Sequence, residues 1–390
     1  MSTTTNEGPG VALEASNQAL PARMAAVLLT GHGGLEKLEY RTDVAVPAPG
    51  EGEVLIEVAA AGINNTDINT RVGWYSKAVD AGTNAGGAEG FAEITDADAA
   101  WSGQALTFPR IQGADVAGRI VAVGEGVAPE RIGERVLVRT MLRSYVGYRP
   151  FECWTLGSEC DGGFAQFAVA PARETYAVHC DWSDAELAAV PCAYSTAENM
   201  LHRAGVGAER VLITGASGGV GLAAVQLAKR RGATVIAVCS PAKAGQVRAE
   251  GADHTIDRGA DLAAELGRNS IDVVIDMVGG PQVPRLLELL RPGGRYAIAG
   301  AISGPLAQID LRTIYLKDLQ LLGCTFQDDE VFENLIKYIE ANEIRPVVSK
   351  TYPLADIARA QEDFLSKKHT GKLVLIPPAV NSTNETETAQ

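Results

Sequence analysis

The run Arg210-Val-Leu-Ile-Thr-Gly-Ala-Ser-Gly-Gly-Val-Gly-Leu-Ala-Ala-Val-Gln-Leu-Ala-Lys229 constrains the fold more than any other segment. A β-rich stretch, Val211 to Thr214, meets a glycine-rich turn. Apolar residues at helical spacing follow: Val220, Leu222, Ala223, Val225, Leu227 and Ala228. Strand, tight turn and helix in that order leave backbone N–H groups free at the positive end of a helix, where a pyrophosphate can sit. The turn reads Ala216-x-Gly218-x-x-Gly221, a dinucleotide fingerprint with alanine in the first glycine slot, and Ser217, Gly219 and Val220 complete it. Gly218 would let the backbone approach phosphates, and Gly221 would let the helix pack close to the strand. A second strand, 234–238, follows at the spacing a βαβ unit needs.

The alternation continues on both sides. The pattern predicts helix 184–204, strand 211–214, helix 219–231, strand 234–238, helix 242–251, strand 254–256, helix 260–268, strand 272–276, helix 281–291 and strand 294–299. That rhythm implies an α/β fold with a doubly wound parallel sheet, a Rossmann domain. Residues 24–175 are instead β-rich, with short alternating runs punctuated by Gly and Pro. Helix 330–342 and a closing strand, 372–376, complete the chain. Residues 78–107 are small, acidic and poor in large apolar groups, which reads as a long insertion: either a lid over a site or plain surface.

With 34 Lys plus Arg against 48 Asp plus Glu, the formal charge is −14, which argues against nucleic acid or an anionic membrane as a partner. No apolar run reaches a membrane span, and the N-terminal stretch lacks the pattern of a secretion signal. The six cysteines form no CxxC pair, so reduced thiols in the cytoplasm are expected.

Several stretches together resemble the medium-chain dehydrogenase/reductase superfamily, in its zinc-free quinone oxidoreductase and enoyl-reductase branch. They are 61–75 (Ala61-Gly-Ile-Asn-Asn-Thr-Asp…Tyr75), 113–118, 121–127, 133–136, 162–169, the nucleotide turn, 251–257 and His369-Thr-Gly-Lys-Leu-Val-Leu375. The resemblance implies a GroES-like β-rich catalytic domain (23–177 and 326–378) split around the Rossmann domain (178–325). By composition, polar and low in large apolar groups, 1–22 and 379–390 read as disordered tails. The resemblance also implies an active site in the cleft between the two domains, and a homodimer or homotetramer. Dimers of such proteins commonly join edge strands of the two nucleotide sheets, here 319–323; an ordinary buried strand is the competing reading.

The resemblance also bears on metal. Zinc-dependent relatives carry Cys in the first site segment, His-Glu in the second and Cys before the nucleotide turn. This chain has Asn64, then Ala114-Asp115, then Cys192. Catalytic zinc needs three protein ligands. No metal is expected; a degenerate site of Cys192 with Asp115 or Asp67 is the alternative. Without a Lewis acid, alkoxide chemistry is poorly served, whereas an electron-poor acceptor needs less help.

For the coenzyme, the second strand ends Val238-Cys239-Ser240 without the acid that holds a ribose 2′-OH in NAD sites. Ser240, Lys243 and Arg258 suit a 2′-phosphate, so NADP(H) is expected. The resemblance places Thr196, Gly300, Ala301 and Ile302 along the nicotinamide and Lys367 near the coenzyme. It makes Asn64 and Tyr75 the catalytic candidates: an amide and a phenol to steady an enolate or hydroquinone anion, with the proton from Tyr75 or water. The expected activity is NADPH-dependent reduction of a quinone or α,β-unsaturated carbonyl. The alternatives are an alcohol or aldehyde dehydrogenase with an atypical metal site at Cys192, and a non-catalytic NADP(H)-binding protein.

Overall fold

A computed structural model describes residues 20–380; the expected tails, 1–22 and 379–390, lie almost wholly outside the described residues. The central part is a six-stranded, all-parallel sheet. Its order is His254–Asp257, Thr234–Cys239, Arg210–Ile213, Ile271–Asp276, Leu290–Ile298, Gln320–Gly323. The strand order reverses beside Arg210–Ile213, and ligands of such sheets bind outside the strand ends at that point.

Period-two alternation explains the two covered faces. Val211, Ile213, Val235, Ala237, Val273 and Ile275 join one core with helices Pro191–Arg203 and Gly219–Arg230. Leu212, Ile236, Val238 and Val274 join the other with helix Val283–Leu289. Strands buried on both faces read as continuous apolar runs. Phe332, Leu335 and Ile339 of helix Asp329–Glu340 pack in the first of these cores.

The expected helix 184–204 is two helices, Asp184–Leu187 and Pro191–Arg203. Pro191 supplies no N–H and stands at the start of the second, where none is needed. This break aims the new helix's first residues, Cys192 included, at the other domain.

That domain is built on a mixed sheet around Glu53–Gly62. Ala117–Val123 and Phe167–Pro171 pair with this strand, and so does the returning strand Lys372–Ile376, with Val374 opposite Gly62. The register brings the far end of the chain beside residues 62–64. The 78–107 segment is mostly irregular, with 3₁₀ turns at Thr83–Gly86 and Asp96–Asp98. Val79, Thr83, Ala99 and Ala100 are nevertheless buried.

Candidate active site

At the nucleotide turn, Gly215 has φ 58°, left-handed backbone that glycine tolerates. A Cβ at Gly221 would lie 2.2 Å from the Gly215 carbonyl oxygen, so glycine there is required by packing. Gly218 is different. It is exposed, its φ is −82°, and a Cβ would meet only the Gly215 oxygen at 3.6 Å. The protein itself leaves that space open, directly before the N-terminus of the helix Gly219–Arg230. A cradle without a side chain at a positive helix end fits the pyrophosphate of a dinucleotide.

The ribose end is cationic. The strand Thr234–Cys239 ends at Ser240 without an acid. Asp257, on the neighbouring strand opposite Cys239, turns its carboxylate into its own loop and accepts from the Gly259 N–H (2.9 Å). Lys243 donates to the Lys367 carbonyl (2.7 Å) and the His369 carbonyl, tying the two domains together. Arg258 is exposed and has no carboxylate partner among the described residues. Burial, then the charge of Lys243, pulls the Lys367 amine down to about 8. Burial and the same lysines pull the His369 imidazole down to about 4, and its buried Nδ1 has no partner. Mutually repelling cations without a counter-ion among the described residues fit a bound phosphate.

At the other end of the cleft, Gly300 packs on the Met277 backbone and Ala301 on Gly279. Ile302 carries a carbonyl that accepts from the Thr83 N–H (3.2 Å), so the 78–107 segment reaches across to the nucleotide domain. Thr196 faces the Cys192 thiol.

The three slots that hold zinc in metal-dependent relatives do converge. Asp115 is fully buried; its Oδ1 accepts from the Cys192 N–H (2.6 Å) and its Oδ2 from Asn64 Nδ2 (2.8 Å). Asn64 caps the helix Asn65–Val72, and Asp67 accepts from its N–H (2.7 Å), bracing the segment. Between these side chains lies an ammonium. Lys372 Nζ donates to Asn64 Oδ1 (2.5 Å), Asp115 Oδ2 (2.9 Å) and the Ile63 carbonyl (3.0 Å). Burial, then the Asp115 charge, pushes the Cys192 thiol up, away from the thiolate a metal requires. An amide, a doubly committed carboxylate and a protonated thiol around a lysine do not fit a divalent cation. Among the described residues no group of three or more His, Cys, Asp or Glu is placed to hold one.

Tyr75 donates to Thr66 Oγ1 (3.0 Å), and burial pushes its phenol up, so it keeps its proton at neutral pH. Trp74 and Trp101 meet its ring edge-on, at 5.6 and 5.0 Å between centroids. Trp101 belongs to the 78–107 segment, which therefore roofs Tyr75.

The sequence thus located the turn and the first slot, and the fold brings Asn64 and Asp67 to one place with Asp115 and Cys192. It missed the parts played by Lys372 and by His369, whose buried Nδ1 has no partner; both were quoted only within a family stretch. One signal was available: a lysine at the head of the apolar strand Lys372-Leu-Val-Leu-Ile376.

Comparisons with known proteins bear on the fold and the family. The family model described as the alcohol dehydrogenase GroES-like domain matches residues 91–180, and that of the zinc-binding dehydrogenases matches residues 219–341. The chain is 31% identical to a quinone oxidoreductase of Lama guanicoe, over 90% of this chain and 97% of that protein. It is 30% identical to an acryloyl-coenzyme A reductase of Metallosphaera sedula, over 90% and 99%. A solved structure of a putative alcohol dehydrogenase from Sinorhizobium meliloti is 47% identical, with a TM-score of 0.81 over 92% of this chain and 98% of that one. The chain belongs to the medium-chain dehydrogenase/reductase superfamily. Within it, it falls in the quinone-oxidoreductase-like branch.

Proposed function

We propose that this protein is an NADPH-dependent reductase that passes a hydride to a quinone or an α,β-unsaturated carbonyl without catalytic zinc. One observation carries the reading: the donor set at the nicotinamide end, Asn64, Asp115 and Cys192 around Lys372, suits no Lewis acid. An acceptor that is already electron-poor needs none. The quinone oxidoreductase and acryloyl-coenzyme A reductase relatives support this acceptor class.

The coenzyme, when bound, supplies the hydride. The Gly218–Gly221 turn would hold its pyrophosphate, and Ser240, Lys243, Arg258 and Lys367 its 2′-phosphate. Thr196 and the 300–302 backbone would fix the ring. Asn64 Nδ2 has a second proton with only a long contact to the Gly62 carbonyl (3.4 Å), which is available to an acceptor oxygen as charge develops there. Tyr75, held protonated, is the proton donor. One hydride and one proton reduce the acceptor. The roof over Tyr75 keeps water from the reacting atoms.

The test is an acceptor screen following NADPH absorbance, with benzoquinones, enones, acrylyl thioesters and aldehydes, alongside metal analysis. Turnover on the first three classes without stoichiometric zinc supports the reading. Alcohol oxidation with one zinc per chain would replace it by the dehydrogenase reading that the description of the Sinorhizobium structure suggests.

The coenzyme assignment has its own prediction. A 2′-phosphate would draw a proton back onto Lys367, whose amine is lowered to about 8. Binding then takes up a proton, so NADPH affinity is expected to fall as pH rises above that value, approaching tenfold per pH unit. NADH affinity should stay nearly flat. Fluorescence titrations of both across this range check it, and parallel curves would remove Lys367 from the phosphate site.

We also place a second copy of the chain on the free edge of the nucleotide sheet, giving a homodimer or homotetramer. Gln320–Gly323 is that edge, and Leu321, Leu316, Leu311 and Tyr315 are exposed in or near it. All six cysteines are unpaired, which suits the cytoplasm. No helix among the described residues is long and apolar enough to cross a membrane.

A further inference from the structure

Lys372 is the most constrained cation of the cleft. Its side chain is 4% exposed, and its three N–H groups are all used, on the Ile63 carbonyl, Asn64 and Asp115. Its stem lies against the nucleotide turn: a Cβ at Gly219 would come within 2.7 Å of Lys372 Cδ. The preceding Gly371 donates its N–H to the Ser217 carbonyl (3.1 Å). One residue therefore touches the phosphate turn with its stem and the former metal slots with its charge.

The contacts dictate an orientation. The ammonium accepts nothing, so Asn64 must turn its oxygen toward it and its nitrogen toward Asp115. Reversed, the amide would face a cation with two donors and an anion with an acceptor. We propose that Lys372 replaces the catalytic metal with a fixed internal cation, a positioning residue that holds the Asn64 amide donor-outward and biases the slot toward negative charge on the acceptor oxygen. It does not touch the acceptor, having no proton to spare. A buried ammonium beside one carboxylate leaves the pair neutral, and the dipole it sets on the amide strengthens the remaining N–H as a donor. The proposal rests on the reductase reading for its catalytic half; the occupation of the metal position stands independently.

Two measurements test it. Lys372→Met is expected to lower kcat on the best acceptor by about 10- to 100-fold, with the Kd for NADPH changed less than about threefold. Because that variant leaves Asp115 buried and unpaired, Asp115→Asn/Lys372→Met is made as well. Restored thermal stability with kcat still depressed supports the proposal; kcat recovering together with stability shows a charge-pairing role only and overturns it. Separately, the wild-type protein is titrated with cobalt(II). No thiolate-to-cobalt absorption is expected, since the ammonium holds the position. A band that Cys192→Ser abolishes would show a metal in that place and overturn the proposal, whether or not any acceptor is turned over. If the wild type reduces nothing in the screen, the reductase reading fails and the cobalt titration decides the occupancy of the slot alone.

Discussion

Gly218→Val is expected to weaken NADPH binding by at least about 100-fold, roughly 3 kcal/mol, while moving the unfolding midpoint by no more than about 2 °C. The two halves of this result have separate causes. Gly218 has φ −82° and ψ 175°, backbone that valine adopts freely, and no protein atom but the Gly215 oxygen stands near its missing Cβ. Nothing in the fold resists the side chain. It would occupy instead the volume in front of the helix N-terminus, where a pyrophosphate must come close enough to accept from backbone N–H groups. Gly221→Val is the contrast. Its Cβ would press on the Gly215 oxygen and the Ala216 backbone, so that variant should lose stability as well as binding. Calorimetric titration with NADPH and thermal melts of both proteins check the pair. Undiminished NADPH affinity in Gly218→Val would mean that the coenzyme does not lie on this turn.

The second large effect is expected at Arg71. Arg71→Met should destabilise the protein by about 3–5 kcal/mol, read from urea unfolding. The guanidinium is fully buried yet pairs with no carboxylate among the described residues; it donates to the Gly33 carbonyl (2.7 Å), the Gly87 carbonyl (2.7 Å) and Gln361 Oε1 (2.8 Å). Burial lowers it to about 10, so it is charged at neutral pH. Methionine fills much of the same volume but leaves two buried acceptors, Gly87 and Gln361, and the part-buried Gly33 carbonyl without donors. Gly87 belongs to the 78–107 segment, and that segment carries Trp101 onto Tyr75. The same variant should therefore raise KM for the acceptor more than Kd for NADPH. An unchanged urea midpoint would show that solvent reaches those carbonyls.

How far the sequence alone carried differs between the two halves of the molecule. The nucleotide sheet was legible because each strand is a short apolar run between helical periods, and because the glycine spacing of the turn stands out within one short stretch, with Gly221 required by packing. The exception is local as well: Pro191 divides a stretch whose apolar spacing reads as one helix. The 78–107 segment was legible only as an insertion. Its backbone is held by tertiary contacts, from Arg71, Trp74 and Ile302, which no periodicity announces. At the site, Asn64 and Tyr75 stand in one recognisable stretch, but the partner that fixes Asn64 lies 308 positions away. The antiparallel pairing of Val374 with Gly62 and Leu375 with Ala61 brings Lys372 there. A lysine at a strand end reads as surface, and its burial follows from the antiparallel register.

One more property follows from the contacts that span the cleft. Gly371 N–H to the Ser217 oxygen and Thr83 N–H to the Ile302 oxygen both run between main-chain atoms. Such a clasp needs no polar or charged side chain, but it does need glycine at 371, where φ is 77° and a Cβ would lie 2.2 Å from the Val347 oxygen. The two halves stay fastened at both ends so long as Gly371 remains glycine and Thr83 does not become a proline.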